Sequence, residues 1–199
     1  MEGVSRSVTY FNKSGIENTD DVVEIVYKRL KEGDIKSVVV ASTGGHTAFK
    51  FARKMARETN LVIVSSQYEP FDPEKRKELE SMGCKMVRHS HILSGLDRSI
   101  SRKFSGVSHG EFLSEALRCL FGCGMKVAIE CTIMAADSDA ISVEKTIAVG
   151  GTATQSGRGA DCAAVVWPAH SDNFFDFRVL EILAKPFRRE AGKQERRGH

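Results

Sequence analysis

The chain has 199 residues, 41% of them hydrophobic and 28% charged, and a formal net charge of +3. That length suits one domain with a substantial core, and the composition is that of an ordinary globular protein. The small net charge, with basic residues scattered through helices and not interleaved with aromatics, excludes a strongly electrostatic binder, and no nucleic-acid partner is expected.

No apolar stretch approaches membrane-spanning length, so no membrane partner is expected either. Cysteines at Cys84, Cys119, Cys123, Cys131 and Cys162 form no disulfide framework, and Met1–Tyr10 is polar and mixed. Both observations point to a reduced, cytoplasmic setting.

Ser7–Phe11 reads as a short strand and Asn12–Thr19 as a polar loop. Asn18 or Thr19 caps a helix with Asp20 and Asp21 in its first turn. Val22, Val23, Val26 and Leu30 form its apolar face, and Gly33 ends it. Ser37–Ala48, SVVVASTGGHTA, follows. Its β-branched run without polar alternation suits a parallel strand covered on both faces. The polar loop Ser42–Thr47 comes next. Then Ala48, Phe51, Ala52 and Met55 recur at helical spacing.

A helix starting after such a turn aims free N–H groups and a positive dipole end at whatever sits above the strand. Gly44 and Gly45 let a ligand approach the backbone, and Ser42, Thr43 and Thr47 add hydroxyls. His46 stands at the helix start, where it contacts a phosphate or serves as an acid or base. This is a recipe for holding a phosphate. The alternative is an ordinary turn whose glycines serve geometry only.

Leu61–Ser65 reads as a second buried strand. Asp72-Pro73-Glu74 opens a highly charged surface helix, with Gly83 at its end. Cys84–Val87 begins a third strand. Arg88–Val107 is serine-rich and basic without periodicity, and reads as a long loop. Its Arg98, Arg102 and Lys103 would close over an anion, or the segment is a solvated loop or a subunit contact. Ser108-x-x-Glu111 is a capping box. It opens a helix with Phe112, Leu113, Ala116, Leu117 and Leu120 on its buried side, closed by Gly122 or Gly124. Lys126–Met134 reads as a fourth strand interrupted by Glu130, a carboxylate that needs a partner there. Thr146–Gly151 is a fifth strand, Thr152–Gly159 a second small-residue loop, and Cys162–Pro168 a sixth strand. Arg178–Ala184 fits strand or helix.

The alternation predicts a three-layer α/β/α domain over residues 1–187, with a mostly parallel sheet and one antiparallel edge strand. Residues 188–199 read as a flexible basic tail. The loops Ser42–Thr47 and Gly150–Gly159 are expected to converge at strand ends, the default ligand site. His89-x-His91 near Cys84 suggests metal chelation, but no second cluster has zinc spacing, and no metal is expected. Cys119 and Cys123 read as small buried thiols. Asp137 and Asp139 cap a turn, or hold Mg²⁺ beside a phosphate.

STGGHTA after the first buried strand, and GRGADCAAVVWP as a last antiparallel strand, resemble the C-terminal α/β domain of pyruvate kinase. In that domain a hydroxyl-rich Gly-Arg loop grips a sugar bisphosphate. Ser42, Gly45, Thr47 and Ala48 match it, whereas Gly44 and His46 depart from it. The chain more closely resembles the stand-alone archaeal proteins of the pyruvate kinase C-terminal-domain-like group. That likeness is carried by Tyr10-Phe11-Asn12-Lys13, HSHILSGLDRSISRKFSGVS, TIMAADS, AVGG and PAHSDNFFD, while TATQSG after Gly151 lengthens a loop.

The resemblance implies a flavin mononucleotide (FMN) site. A flavin needs the phosphate nest Ser42–Thr47 and a flat apolar slot with groups at the ring edge. Gly150, Gly151, Thr152 and Asp161 supply part of that edge, with Thr132 and Ser65 as further candidates near strand ends. Pyruvate kinase activity is not expected, because its chemistry belongs to a separate barrel domain. Three expectations follow: an FMN-binding protein with flavin-dependent redox chemistry, a regulatory module sensing a phosphorylated metabolite, or a homo-oligomer joined through Arg88–Val107 and Asn173–Phe177.

Overall fold

The computed structural model describes residues 3–69 and 71–188. The expected basic tail lies outside the described residues from 189 onward.

In chain order the elements are β1 (Thr9–Phe11), α1 (Thr19–Leu30), β2 (Ser37–Ala41), α2 (His46–Met55), β3 (Asn60–Ser66), α3 (Pro73–Ser81) and β4 (Lys85–His89). Then come α4 (Gly95–Phe104), α5 (His109–Phe121), α6 (Cys123–Asp137), β5 (Thr146–Gly150), β6 (Ala153–Thr154), β7 (Gly157–Arg158), β8 (Cys162–Trp167) and β9 (Arg178–Pro186). The main sheet has the order β1-β9-β8-β5-β2-β3-β4. Its strands are parallel except β8, which runs antiparallel to β5 and β9. The fold is a mostly parallel α/β sheet with helices on both faces. The antiparallel strand lies inside the sheet and not at its edge, because β9 and β1 add outside it.

Period-two alternation divides each central strand between two apolar layers. Val38 and Val40 of β2, with Leu61 and Ile63 of β3, pack beside Val22, Val26, Phe51, Met55 and Leu79 of α1–α3. Val39, Val62 and Val64 face the other way, onto Met134 and Ala135 of α6. Asp72 caps α3 as expected, its carboxylate accepting from the N–H groups of Glu74 and Lys75 at 2.9 and 3.1 Å. The Ser108–Glu111 capping box is present at α5. At α1, Asn18 makes no side-chain cap. The Thr19 hydroxyl instead accepts from Ala160 N–H at 3.2 Å, tying α1 to the start of β8.

Three expectations are corrected. Lys126–Met134 is not a strand but the middle of α6, a 15-residue helix buried along nearly its whole length. Gly122, at φ +92°, separates it from α5. A segment buried on all sides shows neither the helical nor the half-buried-strand alternation, and here length decides for helix. Arg88–Val107 is not one long loop: β4 runs to His89, and Gly95–Phe104 forms α4. Leu96, Ile100 and Phe104 of α4 recur every four residues, but no residue of α4 is buried and this stripe stays exposed. Phe112 and Leu120 of α5, expected on a buried side, are 71% and 72% exposed. The reason is that α5 packs on α6 and α4, one layer out from the sheet.

Candidate functional site

The carboxyl ends of β2, β3 and β5 open into one cleft of about 1310 Å³. β2 lies mid-sheet, and the chain leaves it through α2 towards β3 on one side, then returns through α6 to β5 on the other. Strand-end crevices of α/β sheets form at such a reversal of direction. The two small-residue loops expected to converge do so: Ser42–Thr47 and the β6–β7 hairpin both line this cleft.

On the β2 side the chain enters α2 through Gly45, whose φ of +90° is costly for other residues. The first α2 backbone bond is Phe49 N–H to Gly45 O at 2.9 Å. Ala48 N–H donates to the buried Ser42 hydroxyl at 3.4 Å. Among the described residues, the N–H groups of His46 and Thr47 enter no hydrogen bond. Both residues line the cleft, at the positive end of the helix. Gly44 also lines the cleft, and its carbonyl accepts from Lys75 Nζ at 3.4 Å.

Arg158 of the hairpin reaches across to this loop. Its Nη1 donates to Thr43 Oγ1 at 3.3 Å and pairs with the Glu69 carboxylate. The pairing holds the Glu69 carboxyl below its ordinary value and raises the Arg158 guanidinium. The hairpin is thereby latched over the β2 and β3 loops. The opposite flank is apolar: Val64, Val127, Cys131 and Met134. Burial pushes the Cys131 thiol up to about 12, so it stays protonated near neutrality.

The remaining expected residues separate into those at the cleft and those behind it. Ser65 lines it while its hydroxyl donates to Val87 O at 3.4 Å, and Gly151 and Thr152 line it after β5. Thr132 does not. It lies inside α6, not near a strand end, and its hydroxyl donates to Ala128 O at 2.8 Å. Gly150 serves packing: a Cβ there would stand 2.1 Å from Gly124 O, so its bareness lets α6 press on β5. Asp161 is a buried tie and does not line the cleft. Its Oδ2 accepts from Gly15 N–H at 3.1 Å and Thr152 N–H at 3.2 Å, joining two loops. Burial raises its carboxyl against those bonds.

No protein-family model matches the chain. Among solved structures, O-ureido-L-serine synthase matches at 18% identity and a TM-score of 0.30, over 47% of this chain and 31% of the synthase. A hydrogen sulfide-producing enzyme from Fusobacterium nucleatum matches at 19% and 0.30, over 51% of this chain and 39% of that one. The chain thus spans well under half the length of these enzymes, and likeness of that degree carries no statement about activity.

Sequence reasoning missed Arg158, Glu69 and a buried charged cluster under the cleft. The signal for Arg158 was a lone cation in a glycine loop, Gly157-Arg158-Gly159. For the cluster it was Lys126 and Glu130 four apart, one helical turn, within an apolar run. Among the described residues no group of three or more His, Cys, Asp or Glu is placed to hold a metal ion, and no helix is long and apolar enough to cross a membrane.

Proposed function

We propose that the cleft binds a phosphorylated ligand, flavin mononucleotide first among them, with its phosphate at Ser42–Thr47. The observation that carries this reading is the pair of unengaged N–H groups, His46 and Thr47, at a helix start that lines the cleft. Thr43 and Arg158 stand beside them as further donors to an anion.

Two features of the cleft support the flavin part of this reading. Its volume of about 1310 Å³ exceeds the roughly 300–1,000 Å³ usual for small-molecule pockets. Val127 offers apolar surface to a flat ring, backed by the buried Val64, Cys131 and Met134. Flavin, when bound, supplies electron-transfer chemistry through its ring. The chain's residues bind the phosphate, orient the ring and exclude water from the α6 side.

The Arg158–Glu69 latch favours a second reading, a module that senses a phosphorylated metabolite without chemistry. An anion at the loop competes with Glu69 for Arg158 and frees the hairpin from β3. Visible absorption of the protein titrated with FMN separates the two. A saturable shift of the flavin band, unaffected by excess sugar phosphate, supports the flavin site. No shift with FMN, but faster proteolysis of the hairpin on adding a sugar phosphate, supports the sensor.

A further inference from the structure

Beneath the cleft α6 carries an ion pair inside the protein. The Lys126 ammonium donates to Glu130 Oε2, one helical turn away, and both side chains are almost wholly buried. Taking two charges out of water is costly and contributes little stability unless other partners complete them. Glu130 has those partners. Leu93 N–H donates to Oε1 at 3.2 Å, and His91 Nδ1 lies 3.1 Å from Oε2. Unlike Glu130, His91 reaches the surface. Its side chain is 27% exposed, and it lines both the main cleft and a neighbouring hollow of about 490 Å³.

We propose that His91 is the proton-transferring group of the cleft, and that Glu130 is its positioning residue. A carboxylate only accepts hydrogen bonds, so His91 Nδ1 must carry the proton in this contact. In the neutral ring the lone pair is then on Nε2, the nitrogen that Glu130 does not hold. The Tyr68 ring lies nearly parallel to the His91 ring, with centroids 6.4 Å apart and planes 10° from parallel. Nε2 accepts a proton from a ligand N–H or O–H, and the bonding electrons stay on the ligand. The imidazolium that forms is stabilised by its contact with the Glu130 carboxylate, and the reverse step returns the proton. Lys126 keeps Glu130 ionised for this role; the bonds from His91 and Lys126 hold that carboxyl low although burial pushes it up.

Other charges surround the ring. Arg98 of α4 sits over the Tyr68 ring at 5.8 Å. Arg118 of α5 lines the cleft and is felt by Lys126. His89, Arg102 and Asp137 line the neighbouring hollow. For the ligand's identity the inference rests on the phosphate reading. β2 and β4 flank β3, so their ends lie roughly 10 Å apart. A ligand with a phosphate at one end and an exchangeable N–H or O–H about that far away meets both sites.

The test is the nitrogen spectrum of His91 with Ser42–Thr47 amides observed in parallel, in wild type and in Lys126→Met/Glu130→Met. The double variant removes both buried charges and keeps the volume, so it folds where a single variant strands a charge. The Nδ1–H tautomer is expected in the wild type and is lost in the double variant. Added FMN is expected to shift His91 Nε2 and the loop amides, whereas inorganic phosphate shifts the loop amides alone. An Nε2–H tautomer in the wild type overturns the proposal. So does FMN binding that moves the loop amides and leaves His91 untouched. If neither FMN nor phosphate moves the loop amides, the phosphate reading fails; an Nδ1–H tautomer with Nε2 still shifted by FMN would then uphold His91 alone, and an unshifted Nε2 would overturn it.

Discussion

The two faces of the sheet are covered in different ways. On one face lie α1 and α2, amphipathic helices with an apolar stripe inward and charges outward, and α3, a charged helix that buries only Leu79. Their surface pairs, such as Lys50–Asp20 and Lys54–Glu24, are exposed and contribute little. On the other face one helix, α6, is buried along nearly its whole length and takes α5 as a second cover. It can carry an ion pair only because Glu130 is completed by Leu93 and His91. The cleft lies between these two kinds of wall. The α2 wall offers backbone donors and hydroxyls, and the α6 wall is apolar, with Val127 half-buried and Cys131 and Met134 buried. Exposed surface pairs such as Lys50–Asp20 on the first face are dispensable, whereas the buried pair on the second is bound to its partners.

The sharpest way to break that comparison is to remove one partner on the α6 face. Lys126→Met leaves Glu130 charged and buried with less compensation, at an expected cost of about 3–5 kcal/mol in urea unfolding. Lys50→Met, which removes a surface pair, should stay within about 0.5 kcal/mol. Equal effects from the two would show that the α6 pair is solvated in solution.

A smaller effect tests how tightly α6 is pressed on the sheet. A Cβ at Gly150 would stand 2.1 Å from Gly124 O and 2.7 Å from Ala128 N, both backbone atoms. Gly150→Ala should cost about 1–3 kcal/mol. Gly44, on the α2 wall, has nothing within 4 Å of such a Cβ, so Gly44→Ala should leave the unfolding midpoint almost unchanged.

The smallest effect concerns acid. Arg29, buried at the end of α1, bonds Asp34 and Glu181 and holds both carboxyls below their ordinary range. A depressed folded-state value stabilises the protein above about pH 4, where the unfolded carboxyls ionise. That contribution is lost as pH falls through the lower folded values. Urea midpoints should therefore fall on acidification below about pH 4, and Glu181→Gln should flatten that slope. An unchanged slope would mean that Arg29 does not favour the ionised carboxylates.

Much of the α2 face was legible in the sequence, because its helices meet water on one side and so show a period. The SVVV run, the Asp72 cap and the Ser108 capping box each left a local mark. The α6 face was not legible in the same way. A helix buried all round has no polar stripe, and Glu130 within an apolar run reads as an interruption until Lys126 is placed one turn before it. α4 has only a short apolar stripe, Leu96, Ile100 and Phe104, set among serines and basic residues, and it stays exposed. At the site, both loops could be placed from their small residues. Thr132 could not be, since its position depended on the strand that is in fact α6. Arg158 was hidden, and His91 was read only beside His89 as a chelator, because their partners, Glu69 and Glu130, are far away in sequence.

The central claim is that the cleft recognises its ligand through a phosphate at the start of α2. The measurement that tests it most directly is the affinity of the protein for FMN beside that for riboflavin, which lacks the phosphate, in wild type and Thr47→Val. One hydrogen bond to a charged group is worth about 1.5–3 kcal/mol. Thr47→Val should therefore weaken FMN roughly 10- to 100-fold and leave riboflavin unchanged. Equal affinity for the two flavins, or no binding of either, would contradict the account.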